Sequence, residues 1–204
     1  MAADDPKIPF DLSEPRILFE GKWLVAKETK FTNLKTGAIG VWQSAHRTVK
    51  SHSTKAKGAN VIAILHRGGK KYFILVKQYR IPMNAWCLEF PAGLIEANET
   101  AEETAMRELK EETGFVGKSV LNSTCGFQPL DPGLSDDGCQ LVTIEVDGDA
   151  PENANPTQSL DTAESIQVIL VECDKLIQFL KENEEKTSII SMLYSFAIGY
   201  SMRE

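Results

Sequence analysis

Three glutamates, Glu108, Glu111 and Glu112, crowd one turn of the segment GLIEANETAEETAMRELKEETGF (93–115), which holds seven glutamates in all. Carboxylates three and four residues apart are neighbours on a helix, and like charges there oppose it by about 0.2–0.5 kcal/mol per pair. They also stand in its last turns, where the helix dipole favours cations. A solvated acidic face is the ordinary outcome for a glutamate-rich helix, but it explains this spacing poorly. Oxygen ligands clustered against propensity and dipole, beside an apolar stripe that holds them rigid, are what a hard divalent cation requires. The chemistry expected here is half of a metal site, with Glu108 and Glu112 as primary ligands and Glu111 beside them.

The element that must position them is legible around them. Thr100 with Glu103 forms a capping box, and Gly114 sits where a left-handed C-terminal cap belongs, so a helix is expected over 101–113. Ala101, Ala105 and Leu109 then share one apolar face with Met106 at its margin; Glu108 and Glu112 fall at the edge of that face, and Glu111 one step further round. Glu99 and Arg107 lie near the two ends, where an ion pair would tie the preceding loop to the helix. Gly93 reads as a turn glycine that lets backbone approach metal or phosphate, or as an ordinary loop glycine. Pro91 stiffens the approach to that turn.

The whole chain sets the bounds. Its 204 residues suffice for one large domain, or one domain with a smaller appendage, around a proper core. A net charge of −7 and a pI near 5.1 argue against nucleic acid or an anionic membrane as the main partner. A phosphorylated small molecule is compatible where metal and local arginines offset the repulsion. Cys87, Cys125, Cys139 and Cys173 form no CxxC pair, and the three histidines make no zinc pattern, so reduced thiols are expected. The N-terminus has neither a basic start nor an apolar run, and SIISMLYSFAIGYSM is too short and interrupted to span a bilayer. A cytoplasmic protein, with the nucleus as a second compartment, is expected.

Along the chain, residues 1–15 read as a loose tail, and RILFEGKWLVAKETKFTN through LKTGAIGVWQSAHRTV as a meander of about three strands. KSHSTKAKGAN is linker-like. VIAILHR, a Gly-Gly turn and KYFILVKQYR form a hairpin, and AWCLEF a strand leading into the acidic helix. GKSVLNSTCGF and QLVTIEVDG are strands around QPLDPGLSDDG; DAPENANPTQSLDTAES is a mobile excursion; ESIQVILVEC is a strand. DKLIQFLKEN is a helix capped by Asp174, and TSIISMLYSFAIGYSM a buried final helix. The expected outline is an N-terminal β-unit over 1–57, then a domain over 58–204 with a mixed sheet and helices on its faces.

Gly93, Glu99, Arg107, Glu108, Leu109, Glu111, Glu112, Gly114 and Phe115 fill all nine fixed positions of the pattern GX5EX7REUXEEXGU, U being aliphatic or aromatic. The segment therefore resembles the Nudix box of hydrolases that cleave a nucleoside diphosphate linked to another group. EGKW, VWQSAHRTV, ILVKQYRIPM, CLEFPAGLIE, LDPGLSD and the late AES look, in order, like the eukaryotic ADP-sugar diphosphatase branch, over most of residues 20–172. The resemblance implies an α/β fold, an α/β/α sandwich around a mixed β-sheet with a small N-terminal antiparallel β-unit. It implies hydrolysis of ADP-ribose or related ADP-sugars to AMP and sugar phosphate, in a homodimer.

Cleaving a diphosphate requires charge neutralisation on the bridging and leaving oxygens and an in-line water. Two or three Mg²⁺ ions, with Mn²⁺ as a substitute, serve this purpose; the resemblance adds the Ala92 carbonyl to their ligands and makes Arg107 structural. Glu164, on a loop able to close, suits a general base and matches a functional glutamate of the branch. Against it, DTAES is an ordinary acidic loop in which Asp161 is a substitute, and Glu112 or Glu111 can take the role instead. By resemblance, Trp23 and Trp42 sandwich the adenine, one from each subunit, although tryptophans in such a unit are commonly core. Arg47 and Arg80 match arginines on the diphosphate, a role suited to permanent charge and bidentate geometry, with surface ion pairs as the alternative. Leu94 and Asp131 complete the substrate-binding set, Asp131 in a turn-rich loop beside the terminal sugar. Gln43 stands where an acid contacting the base is expected, which leaves adenine selectivity open. The rival functions are a nucleoside diphosphatase acting on oxidised guanine nucleotides, a nucleotide-sugar sensor without turnover, and an acidic protein-docking face. The intact acids oppose the sensor, and the docking face does not explain the Gly and Arg positions.

Overall fold

The computed structural model describes residues 7–48 and 57–203. Its first sheet is antiparallel, with β1 (Phe10–Leu12), β2 (Arg16–Glu20), β3 (Leu24–Asn33) and β4 (Ile39–Arg47). β3 is central. One of its edges carries β2 and β1 in succession; the other carries β4, from Leu24↔Arg47 to Thr32↔Ile39. The sheet has four strands where about three were expected, because part of the supposed tail is β1. Phe10 meets Phe31 edge to face at 5.4 Å, a contact that seats this short strand.

The second sheet grows from the expected hairpin, β5 (Gly58–Arg67) and β6 (Lys70–Arg80), turning at Gly68-Gly69. Then follow β7 (Ala85–Glu89), β8 (Ala92–Leu94), α1 (Ala101–Thr113), β9 (Ser119–Ser123), β10 (Gln128–Pro129), β11 (Gly138–Asp147), β12 (Ile166–Glu172), α2 (Leu176–Asn183), β13 (Ser188–Ile189) and α3 (Ser191–Ser201). β6 is long enough to carry β5 and β7 in succession on one edge, while β12 covers the other. β5 also pairs with β8 antiparallel and with β11 parallel, which makes the sheet mixed. β9 and β10 flank β11, and β13 runs parallel to β7.

Strand alternation sends successive side chains of β5 to opposite layers. Ala59, Val61, Ala63 and Leu65 pack with Ala101, Ala105 and Leu109 of α1. Ile62 and Ile64 join Phe73, Leu75, Leu88 and Phe90 under α2 and α3. The result is the expected α/β/α sandwich. α1 has the expected bounds: the Thr100–Glu103 capping box is closed in both directions, and Gly114 ends the helix at φ +77°.

Three expectations are corrected. Asp174 does not cap α2; it lies in a 3₁₀ turn, Cys173–Lys175, and accepts a hydrogen bond from Arg203, while α2 begins with Lys175 at its cap position. The last apolar stretch is not one buried helix. Ser188 and Ile189 pair with the edge of β7, as β-branched residues favour, and only Leu193 and Ala197 of α3 are buried. The segment after β11 is anchored rather than free. Asn153, 1% exposed, accepts from the Val116 amide and donates to the Val116 and Asp147 carbonyls, and Gln158 bonds the Glu112 and Ile166 carbonyls. Residues 50–56 of the linker KSHSTKAKGAN lie outside the described residues, and the expected 57/58 boundary falls just after them, where β5 begins.

Replacing Asn153 with Ala leaves the Val116 amide and carbonyl without that partner, and the Asp147 carbonyl with only the Ala150 amide at 3.4 Å; each unmet buried group costs about 1–3 kcal/mol. Asn153→Ala should lower unfolding free energy by about 3 kcal/mol in urea titrations, with the dependence on urea unchanged.

Candidate active site

The C-terminal half of α1 presses against the backbone of β8. Glu112 is 2% exposed, and its Oε2 accepts from the Ala92 amide at 3.0 Å. Burial pushes its carboxyl up to about 8; the Ala92 amide opposes the shift, while the charges of Glu108 and Glu164 add to it. Burial also raises Glu108, with Glu111 and Glu164 adding and Arg107 opposing. The next residue, Gly93, leaves room for the Glu108 carboxylate, which would collide with any Cβ at that position. Glu111 is more exposed and faces Arg107.

Arg107 organises this end of the helix. Its Nε and Nη2 donate to the two oxygens of Glu99 at 2.8 Å, its Nη1 to Glu108 at 2.8 Å and Glu111 at 2.9 Å, and its Nη2 also to the Leu94 carbonyl at 3.1 Å. Glu99 is thereby held down at about 2, chiefly by Arg107 and further by Thr104 and the Glu96 amide. The expected tie between loop and helix is present, and its arginine also screens two of the crowded acids from each other.

The donor set suits a hard divalent ion. Two carboxylates, the buried Glu112 and the partly buried Glu108, are held at a cost in ionisation that a cation would remove, and a third, Glu111, adjoins them. Gly93 provides the close approach such a site needs. Among the described residues no three acidic side chains converge at chelating distance. The Arg107 guanidinium between Glu108 and Glu111 is one physical reason, since it draws their oxygens to itself.

A cleft of about 930 Å³ opens over this helix end, and Arg47, Arg80, Ala92, Leu94, Glu108, Glu111 and Glu164 line it. Glu112 is not among its lining residues and lies buried on the Ala92 amide. Glu164 closes a turn in which its Oε2 accepts from the Asp161 amide at 2.9 Å and its own amide donates to the Asp161 carbonyl at 3.0 Å. The segment leading to it is fixed to the end of α1, where the Ser159 amide and Gln158 side chain donate to the Glu111 and Glu112 carbonyls. Gly114 is needed twice over: its φ of +77° disfavours other residues, and a Cβ there would strike the backbone of Pro156 and Thr157. Arg80 pairs with Glu89 and Arg47 with Asp137.

Asp131 is not brought to the cleft wall, which its neighbours Leu130 and Asp137 reach. Trp23 and Trp42 also lie outside it, 66% and 56% exposed. Trp42 pairs with Thr29 in the ladder, six residues along β3 from Trp23, a separation of about 20 Å at strand spacing. Gln43 bonds Glu28. Sequence reasoning missed Glu89 and Gln158; it placed Asp137 with Asp131 in the turn-rich loop expected beside the sugar, without its tie to Arg47. Glu89 left one trace, a lone acid in an otherwise apolar strand.

The raised carboxyl of Glu112 makes metal-free stability depend on pH. The folded value of about 8 exceeds the ordinary 4.5, so the contribution is complete below 4.5 and is lost as pH rises to about 8. The slope is about 1 kcal/mol per pH unit, a few kcal/mol across the window. In EDTA, wild type should lose stability relative to Glu112→Gln over that range in parallel denaturant titrations. A constant difference between the two proteins would contradict the buried, reluctantly ionised carboxyl.

Comparison with known proteins agrees with this geometry. The NUDIX domain family matches residues 56–193. A nudix hydrolase of Caenorhabditis elegans is 47% identical over 201 residues, 98% of this chain and 89% of that protein. The ADP-sugar pyrophosphatase of Mus musculus is 34% identical over 92% of this chain and 86% of its own length, and the ADP-ribose pyrophosphatase of Saccharomyces cerevisiae is 43% identical over 76% and 66%. The crystal structure of an ADP compounds hydrolase superposes with a TM-score of 0.61 at 18% identity, covering 93% of this chain and 94% of the other, a likeness of fold. A family match across most of the chain, on a sandwich in which the acidic helix and the segments flanking it carry every fixed residue of the box, establishes that this chain belongs to the NUDIX family and is a Nudix hydrolase.

Proposed function

We propose that the protein hydrolyses the diphosphate of ADP-ribose and related ADP-sugars, releasing AMP and a sugar phosphate. The observation that carries this reading is one cleft lined by the reluctantly ionised Glu108 and by two arginines, Arg47 and Arg80, with Glu112 buried beside it on the Ala92 amide. The names of the mouse and yeast relatives supply the substrate class. Glu108, Glu111, Glu112 and the Ala92 carbonyl would hold Mg²⁺, as two or three ions with Mn²⁺ as a substitute. Bound there, Mg²⁺ supplies charge neutralisation on the diphosphate oxygens.

The chain's own residues do the rest. Arg47 and Arg80 bind the diphosphate as permanent cations, each oriented by a carboxylate at 2.7 Å. Leu94 lies beside them on the cleft wall, and Asp131 belongs to the loop that approaches the terminal sugar. Glu164, close enough to raise both Glu108 and Glu112, takes the proton of the attacking water as the phosphorus–oxygen bond to the leaving group breaks.

Trp23 and Trp42 hold the adenine from two subunits of a homodimer. Two features favour this arrangement. Within one chain the backbone positions of the two tryptophans are offset by about 20 Å along the ladder, whereas aromatic partners lie within about 4.5–7 Å of each other. The first sheet also leaves Ile17, Phe19, Trp23, Ile39, Val41 and Trp42 more than half exposed, an apolar surface that a second copy would cover. The division into a base-binding and dimerising unit (1–57) and a hydrolase domain (58–204) belongs to the same reading. Among the described residues no helix is long and apolar enough to cross a membrane; a cytoplasmic location, extending to the nucleus, accords with four free thiols.

Purified protein with Mg²⁺ and ADP-ribose should yield AMP and ribose 5-phosphate by mass spectrometry. Glu112→Gln should lower kcat by two to three orders, about 3–4 kcal/mol of barrier, with a smaller change in KM. More than a third of wild-type turnover in that variant would remove Glu112 from the catalytic machinery.

Trp23→Ala and Trp42→Ala should each weaken ADP-ribose binding. After subunit exchange their mixture should recover part of the activity, because one site in each mixed dimer keeps both rings. Demonstrated mixed dimers with no recovery would overturn the shared pocket.

A further inference from the structure

β7 contributes four apolar residues and then Glu89, whose side chain is only 8% exposed. A carboxylate that deeply buried costs several kcal/mol unless it is paired. Its partner is Arg80, which donates from Nε and Nη2 to the two oxygens at 2.7 Å each, while its own side chain stays 41% exposed at the cleft. The ladder does not place these residues opposite each other. Arg80 faces Ala85 and Glu89 faces Val76, so the pair is offset by four positions, about 13 Å of strand. Arg80 therefore lies folded back along β6, away from the strand end where it would otherwise project into solvent.

The direction of that fold-back matters. Glu89 is followed after two residues by Ala92 and Gly93, the backbone on which Glu112 and Glu108 rest, and Arg80 is near enough to Glu112 for their charges to interact. With Nε and Nη2 committed to Glu89, Nη1 has no hydrogen-bond partner among the described residues and is left to the cleft. A guanidinium held at two nitrogens loses little further freedom on meeting an anion.

We infer that Glu89 is a positioning residue for substrate: it draws the Arg80 guanidinium back over the cleft and fixes the face that receives the diphosphate. The inference rests on the reading of the cleft as a nucleotide-sugar site. Both carboxylate oxygens of Glu89 are taken by Arg80, so its effect on substrate passes through Arg80. An arginine that grips the diphosphate equally before and during bond cleavage changes binding without changing turnover at saturation.

The test is a double-mutant cycle on Glu89→Gln and Arg80→Gln. Binding of a non-hydrolysable α,β-methylene analogue of ADP-ribose is measured by calorimetry, and kcat and KM with ADP-ribose itself. Glu89→Gln should weaken binding and raise KM about tenfold with kcat within about twofold, and Arg80→Gln should do at least as much. The double variant should be no worse than Arg80→Gln alone. It should also melt higher than Arg80→Gln, which leaves a buried carboxylate unpaired. Glu89→Asp, which keeps the charge but withdraws the carboxylate by one carbon, should bind with intermediate affinity and serves in place of Glu89→Gln if that variant does not fold.

Additive losses in the double variant, a fall in kcat equal to the change in KM, or unchanged binding in Glu89→Gln would each overturn the inference. If wild type neither binds nor cleaves ADP-ribose, the functional reading falls. The same cycle read with inorganic pyrophosphate then still decides whether Glu89 acts through Arg80.

Discussion

A helix end must be held against three consecutive backbone positions of a short strand, and the rest of the molecule follows from that contact. Glu112 takes the Ala92 amide, Glu108 fills the space that Gly93 leaves, and Arg107 takes the Leu94 carbonyl. β8 has only three residues, too few to stay in place alone, so it pairs with β5, which lies at the centre of the core under α1. The stripe of Ala101, Ala105 and Leu109 fixes the rotation of the helix. That rotation then fixes which acids face β8. A residue inserted between Gly93 and Thr100 need not disturb the fold, but one inserted within the helix would turn every acid through about 100°.

Acids so placed work against their own ionisation, and the surrounding structure answers this unevenly. Glu112 carries the larger rise because it is the more deeply buried, and because Arg107, which serves Glu99, Glu108 and Glu111, gives it no hydrogen bond. The helix dipole would add to the strain at this end. Here the terminal carbonyls of Glu111 and Glu112 accept from Ser159 and Gln158, which ties the conformation of the Glu164 loop to the helix terminus. Gly114 makes that approach possible. One glycine of the box thus ends the helix and admits the segment that leads to Glu164.

What was legible in the sequence was local. The capping box, the Gly114 terminus, the hairpin and the spacing of the acids are each set by a few adjacent residues, and they stand where expected. Features that depend on distant partners were not legible. β1 and β13 have three and two residues, too short to show a period, and exist because an open strand edge accepts them. Asp174 looks like a cap by position, but the preceding 3₁₀ turn moves the helix start past it. The segment around Asn153 has the composition of a free loop; a single buried amide side chain fixes it through contacts with residues 37 and 6 positions away. In the site, the box acids were readable, whereas Glu89 and Asp137 gain meaning only from the arginines the fold brings to them.

Those arginines bring positive charge to the cleft of a chain whose net charge is −7. Scattered surface cations would be drawn toward whichever acid lay nearest, and the cleft has several within reach. Each arginine here is claimed by a particular carboxylate on another element: Arg107 by Glu99, Arg80 by Glu89, Arg47 by Asp137. The burial differs with the duty. The two arginines are similarly exposed, but Glu89 is more enclosed than Asp137 and holds Arg80 by two bonds, whereas Asp137 holds Arg47 through Nε alone at 2.7 Å. A buried bidentate pair is rigid and weakly screened, and an exposed single bond is cheap to break. Arg80 is accordingly the fixed cation of the cleft and Arg47 the adjustable one. Arg47 also stands on β4 of the first sheet and is held by the loop ending at Asp137, whereas Arg80 and Glu89 both belong to the second sheet. The cleft therefore has one cation fixed within the second sheet and one that reaches it from the first, so the placing of the two arginines depends on both sheets.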